Sequence, residues 1–133
     1  MGQVNRALPR RPSPAPSLHG LRVLIVEDDW LLADEIAKAL AREGAAVVGP
    51  AGSIDAATRL VAGEDGLHAA VLDVKLRDGD IYDLARRLDE SGVRLLFVSG
   101  WDPEAAPSDL HHCARLEKPA APAQVVQGLS PAV

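Results

Sequence analysis

The chain has 133 residues, the length of one ordinary domain, and 47% of them are hydrophobic, enough for a real core. Only 3% are aromatic, so Leu, Val, Ile and Ala must supply that core, and the formal net charge of −5 argues against nonspecific nucleic-acid binding, which needs a basic surface. The lone cysteine, Cys113, excludes a disulfide framework and fits a reducing cytoplasm, and no apolar run approaches the ~20 residues of a membrane span.

Residues 1–19, MGQVNRALPRRPSPAPSLH, are rich in proline and arginine and show no periodicity. They lack the apolar stretch of a secretory signal and cannot bury enough surface to offset their ordering entropy. A disordered tail is expected there, followed by a single domain over 20–130. From Leu21 the pattern changes. LRVLIV (21–26) reads as a buried strand, and residues 30–43 as a helix with Ala33, Ile36, Ala37 and Leu40 on one face. Asp34 and Lys38 form an i,i+4 pair on its other face, and Gly44 stops it. AVVG (46–49) is a short second strand. Ser53 can cap a second helix bearing Ile54, Ala57, Leu60 and Val61. HAAVLD (68–73) is a third strand. Ile81, Leu84, Ala85 and Leu88 mark a third helix, RLLFVS (94–99) a fourth strand, ARLE (114–117) a fifth, and Pro122 to Leu129 a short last helix. The stretch WDPEAAPSDLHHC between the last two strands carries two prolines and a thin apolar stripe, which predicts a loop or a frayed turn. Strands alternating with helices imply a parallel sheet covered on both faces.

In such a sheet ligands bind beyond the carboxyl ends of the strands. The residues leaving those ends are Glu27, Asp28 and Asp29 from the first strand, Asp73 from the third, Ser99 from the fourth, and Lys118, followed by Pro119, from the fifth. Carboxylates brought together repel unless a cation sits between them. Hard oxygen donors with few protein ligands suit magnesium. Asp73 can then act as a nucleophile that forms an acyl phosphate, with the Lys118 ammonium and the Ser99 hydroxyl on the phosphoryl oxygens. Taken singly, acids after a strand also favour the positive end of the next helix. The ordered set, each member at a strand terminus, is what carries the reading.

The motifs LIVEDD, AVLDVKLRDG, LLFVSG and LEKP resemble those of bacterial response-regulator receiver domains over roughly Leu21 to Leu129. The resemblance implies a flavodoxin-like, doubly wound five-stranded parallel sheet of order 2-1-3-4-5. It implies magnesium bound by Glu27, Asp28, Asp73 and the backbone carbonyl of Lys75, with Asp73 as phosphoacceptor and Ser99 and Lys118 beside it. Asp29 falls outside the metal pair and is left a helix-terminus role. VVGPAGS, DVKL and LFVSGWD further resemble the receiver subclass known by its FATGUY motif, onto which Phe97, Val98, Ser99, Gly100 and Trp101 fit, with Val98 replacing the usual Ala. The fourth helix of that subclass tends to be irregular. The resemblance implies a stand-alone module with no output domain. It would take phosphate from a sensor histidine kinase or phosphotransfer protein and signal to an unknown downstream protein, or act as a phosphate sink or relay, in the cytoplasm, without nucleic acid or membrane. It implies no enzymatic activity beyond self-phosphorylation and autodephosphorylation.

Receivers usually carry an aromatic residue three positions before the lysine, and here that position is Arg115. A guanidinium is costly to bury unpaired, so the Gly100–Leu110 segment, with few apolar contacts expected to pin it, is the candidate switch instead. Lys75 and Trp101, two residues beyond Asp73 and Ser99, flank the path of attacking water in receivers and are candidates for setting the lifetime of the phosphoryl group. His111, His112 and Cys113 are adjacent, so they point in different directions. No second ligand pair is spaced for zinc, and surface or strand-edge positions are expected. Trp30 is expected to pack, and Cys113 to be an inert small hydrophobe. Two other functions compete. A magnesium-dependent phosphohydrolase would want a second acid where Lys75 stands, and a phosphate-independent interaction module would not need the full site.

Overall fold

The computed structural model describes residues 18–100 and 106–130. Five parallel strands form the sheet: β1 (Arg22–Val26), β2 (Ala46–Ala51), β3 (Ala69–Asp73), β6 (Arg94–Ser99) and β7 (Ala114–Glu117). Their order is β2-β1-β3-β6-β7, which is the expected 2-1-3-4-5 arrangement. A small antiparallel pair, β4 (Lys75–Leu76) and β5 (Gly79–Asp80), lies between β3 and the third helix and was not legible in the sequence.

Successive strand residues point to opposite faces, so each strand feeds two apolar layers. Val23 and Ile25 of β1 join Val71, Leu96 and Val98 on one side. Ile36 and Leu40 of α1 (Trp30–Arg42) and Val125 and Leu129 of α4 (Pro122–Leu129) cover that layer. Leu24, Val26, Leu72 and Phe97 face the other way. There they meet Ala57 of α2 (Ile54–Ala62) and Leu84, Ala85 and Leu88 of α3 (Tyr82–Glu90). Ala33, Ile36 and Leu40 are buried as the helical period predicts, while Ala37 is only partly covered. Ser53 caps α2, its hydroxyl accepting from the Ala56 N–H at 3.0 Å.

Three differences from expectation have physical causes. Leu18, read as part of the tail, is fully buried in the α1–α4 layer, and its N–H donates to the Glu43 carbonyl at 3.0 Å. One apolar residue is enough to cover core between α1 and α4, so the described fold begins at Leu18. Residues 1–17 of the expected tail lie outside the described residues. Trp30, expected to pack, is 78% exposed: it opens α1 and lies off the buried face of that helix, which is Ala33, Ile36, Ala39 and Leu40. Between β6 and β7 no α-helix forms among the described residues. A 3-10 turn at Ser108–Leu110 stands in its place, in line with the irregular fourth helix anticipated. That turn is better anchored than its composition suggests. Leu110 is fully buried, and Arg86 of α3 holds Asp109 at 2.8 Å. The expectation of a weakly pinned segment therefore fails for residues 106–112. Trp101, the other gating candidate there, lies outside the described residues, and Gly100 is the last residue described before them.

Gly49 shapes the end of β2. Its φ is +95°, and a Cβ there would stand 2.8 Å from the Ala51 N and 3.1 Å from the Ile25 O. Only glycine fits that approach. The β1–β2 register slips beside it, between Leu24 and Val26, which carries Ala51 to the Glu27 N–H at 2.9 Å.

Candidate functional site

The carboxyl ends of β1, β3, β6 and β7 meet at one edge of the sheet. The β3–β6 register pairs Asp73 with Val98, so Ser99 stands one residue beyond it. The β6–β7 register pairs Ser99 with Glu117, and the Lys118 N–H donates to the Ser99 carbonyl at 2.7 Å. Parallel hydrogen bonding thus places Asp73, Ser99 and Lys118 at one level, although they are distant in sequence.

Glu27, Asp28 and Asp73 each bring a carboxylate oxygen within 4.8 Å of the others. Glu27 is 3% exposed and Asp73 5%. The Lys118 Nζ lies 3.2 Å from Glu27 Oε1 and 3.4 Å from Asp73 Oδ1. Glu27 also accepts from the Asp29 N–H at 3.0 Å, which orients its carboxylate. Asp29 itself turns away to cap α1, accepting from the Leu31 and Leu32 N–H groups at 3.1 and 3.2 Å. That is the helix-terminus role expected of it.

The electrostatics are unbalanced. Burial first, then the nearby Glu27 and Asp28 charges, raise the Asp73 carboxyl to about 7, against the pull of Lys118. Burial alone would lower the Lys118 ammonium, but the Asp73 and Glu27 carboxylates outweigh it and raise it. One ammonium does not neutralise three carboxylates. A divalent cation on their oxygens would, and hard oxygen donors in this number fit magnesium. Lys75 opens β4 two residues after Asp73 and is exposed.

Arg115 departs from the receiver pattern in a defined way. It is half-buried, with Cζ 5.5 Å from the centroid of Phe97. Its Nη2 donates to Ser99 Oγ at 3.4 Å, while Nη1 is buried with no partner among the described residues. Stacking on the ring and the hydroxyl contact offset part of the burial cost. The sequence marked Arg115 as anomalous but held no signal that it would reach Ser99. Another residue escaped sequence reading. Asp78, in the turn between β4 and β5, accepts from the Ile54 and Asp55 N–H groups at 3.0 and 3.1 Å and so caps α2 from outside that helix. Asp-Gly at 78–79 signalled a turn, and the partner helix was invisible.

No protein-family model matches the chain, and no curated protein matches it. Solved structures do. SdrG from Sphingomonas melonis Fr1 shares 28% identity over 85% of this chain and 94% of its own, with a TM-score of 0.70. A response-regulator receiver domain protein from Clostridium thermocellum shares 18% over 81% and 90%, also at 0.70. A CheY-like receiver domain protein from Methanospirillum hungatei JF-1 shares 24% over 80% and 88%, at 0.67. The chain has the fold of response-regulator receiver domains, with the strand-end acids at the edge where that fold binds ligands. No helix among the described residues is long and apolar enough to cross a membrane.

Proposed function

We propose that the protein is a phosphoryl-accepting receiver that takes its phosphate from a phosphohistidine on a sensor kinase or phosphotransfer protein. The observation that carries the reading is the convergence of Glu27, Asp28 and Asp73 within 4.8 Å, with the Lys118 ammonium 3.2–3.4 Å from Glu27 and Asp73. An Asp73 carboxylate oxygen attacks phosphorus, the phosphorus–nitrogen bond breaks, and the electron pair leaves on the imidazole, which takes a proton. Magnesium held by Glu27, Asp28, Asp73 and the Lys75 carbonyl would spread the phosphoryl charge. Lys118 swings from Asp73 to the new phosphoryl oxygens without leaving the edge. Ser99 Oγ offers its hydrogen to another of them.

That last contact gives the site an output. Moving toward the phosphoryl group draws Ser99 Oγ from Arg115, whose second nitrogen is already unpaired. The guanidinium is then free to leave its buried place, and Arg115 takes the part that an aromatic residue plays in other receivers. The run Phe97-Val98-Ser99-Gly100-Trp101 supports membership of the FATGUY subclass, and Lys75 and Trp101, two residues beyond Asp73 and Ser99 in sequence, are the residues expected to tune the lifetime of the phosphoryl group. A cytoplasmic module signalling by protein contact, with no separate enzymatic activity, is the form this function takes.

Intact-protein mass spectrometry after incubation with magnesium and acetyl phosphate, or with a phosphorylated histidine phosphotransfer domain, tests the reading. The wild type should gain one phosphoryl group, and Asp73→Asn or magnesium-free protein none. No gain from either donor with magnesium bound would overturn it.

A further inference from the structure

A second convergence of donor side chains lies on the α3 side of the molecule, apart from the acid site. Asp89 stands in the last turn of α3, and His112 and Cys113 immediately precede β7. His112 Nε2 lies 2.9 Å from Asp89 Oδ1, and one donor atom of each of the three residues falls within 4.8 Å of the others. Adjacent residues commonly diverge, yet here the backbone bends both toward the helix. Leu110 is fully buried below them, the Cys113 N–H donates to the Leu110 carbonyl at 3.1 Å, and Arg86 grips Asp109 at 2.8 Å. The turn is thereby held against α3 by groups other than the three donors.

We propose that Asp89, His112 and Cys113 form a binding site for a divalent transition-metal ion of the zinc type. The chemistry of the set selects this class. A carboxylate, an imidazole and a thiolate are the oxygen, nitrogen and sulfur ligands that zinc takes together, with water as the fourth. Calcium and magnesium want oxygen alone. With metal bonds of ~2.0 Å, tetrahedral ligand atoms lie about 3.3 Å apart. The Asp89–His112 pair is already near that edge, and the remaining separations close by side-chain rotation. Binding exchanges the Asp89–His112 hydrogen bond for two metal bonds: the neutral imidazole carries its proton on Nδ1 so that the Nε2 lone pair meets the ion, and the Cys113 thiol proton leaves to solvent. Burial, then Asp89, raise the Cys113 thiol above its usual range, against Arg115, so this is no activated nucleophile beside a histidine base. The ion would tie α3 to the chain just before Arg115 and Lys118, giving the molecule a metal input separate from Asp73.

The test is cobalt(II) alone, added to the reduced, chelator-treated full chain. Three oxygen donors at the acid site give no sulfur-to-cobalt band, so a near-ultraviolet thiolate charge-transfer band reports Cys113 specifically. The band should saturate at one equivalent, vanish in Cys113→Ser, and be reversed by zinc. His112→Gln and Asp89→Asn should weaken cobalt binding more than about tenfold, as loss of direct ligands does at least as much as loss of their supports. His112 is exposed, so its variant keeps the fold and the test does not depend on the cysteine variant folding. No band in the wild type, or a band of unchanged affinity in both His112→Gln and Asp89→Asn, would overturn the proposal.

Discussion

Asp73 is the most strained residue of the molecule in electrostatic terms. Its carboxyl is raised to about 7 from an ordinary value of 3.8, so between those pH values the folded protein holds a proton that the unfolded chain has lost. By linkage, the contribution of Asp73 to stability is greatest below the ordinary value, falls as pH rises through this window, and stays low above about 7. Asp73→Asn removes that penalty. In chelator-treated protein it should raise Tm at pH ~8 by about 4 °C or more, the equivalent of ~1 kcal/mol in a domain of this size, and change it little at pH ~4. Thermal melts of both proteins at the two pH values decide the matter. Equal gains at both would mean that the acid cluster does not strain the fold. The same residue-scale reasoning makes Arg115 tolerable. Its guanidinium is half-satisfied, by stacking on Phe97 and by the Nη2 contact to Ser99, while Nη1 has no partner among the described residues.

Among the elements, α2 has the least conventional support. Ser53 supplies the expected local cap, but two further N–H groups of its first turn end on Asp78, more than twenty residues away in sequence. Those two hydrogen bonds hold the Asp78 carboxyl below its usual range. A depressed carboxyl contributes stability above its unfolded value and loses it as pH falls through the folded one. Asp78→Asn should therefore lower Tm at neutral pH, with the difference from wild type fading in acid below the ordinary carboxylate range. A constant difference across that range would show that shape, not charge, carries the cap. This contact also ties the turn after Asp73 to α2, so the loop that follows Asp73 is braced at its far end. Ser53 was legible because an N-cap is local to its helix. Asp78 was not, because a carboxylate in a turn bears no mark of which helix it will meet.

At the scale of the whole molecule, the sheet divides the interior into two apolar layers. Leu18 completes the layer under α1 and α4, and Leu110 completes the layer under α2 and α3. Each is fully buried, so Leu18→Ala and Leu110→Ala should each destabilise by about 2–5 kcal/mol. Leu18 and Leu110 belong to separate apolar clusters on opposite faces of the sheet, so the double variant should lose the sum to within about 0.5 kcal/mol. Denaturant titrations of the four proteins measure this. Strong non-additivity would mean that the 3-10 turn and the residue-18 anchor are coupled through the strands. Leu110 also explains why the described part of the Gly100–Leu110 segment, from residue 106 on, is better anchored than its thin apolar stripe suggested. One buried leucine and one ion pair anchor a segment whose average composition is polar.

The five strands of the main sheet, the helices and the residue types gathered at the sheet edge were legible in the sequence. Those features rest on local periodicity, on the apolar strand runs, and on a rule of parallel sheets that sends strand-end residues to one side. Glu27, Asp28, Asp73 and Lys118 could be named in advance because each lies at the carboxyl end of a strand. The tertiary structure alone decided which distant groups would meet. It brought Arg115 to Ser99, Asp78 to α2, and Asp89 to His112 and Cys113. Side chains on different elements meet only once the packing of whole helices against the sheet has set the distance between them, and no local pattern carries that distance.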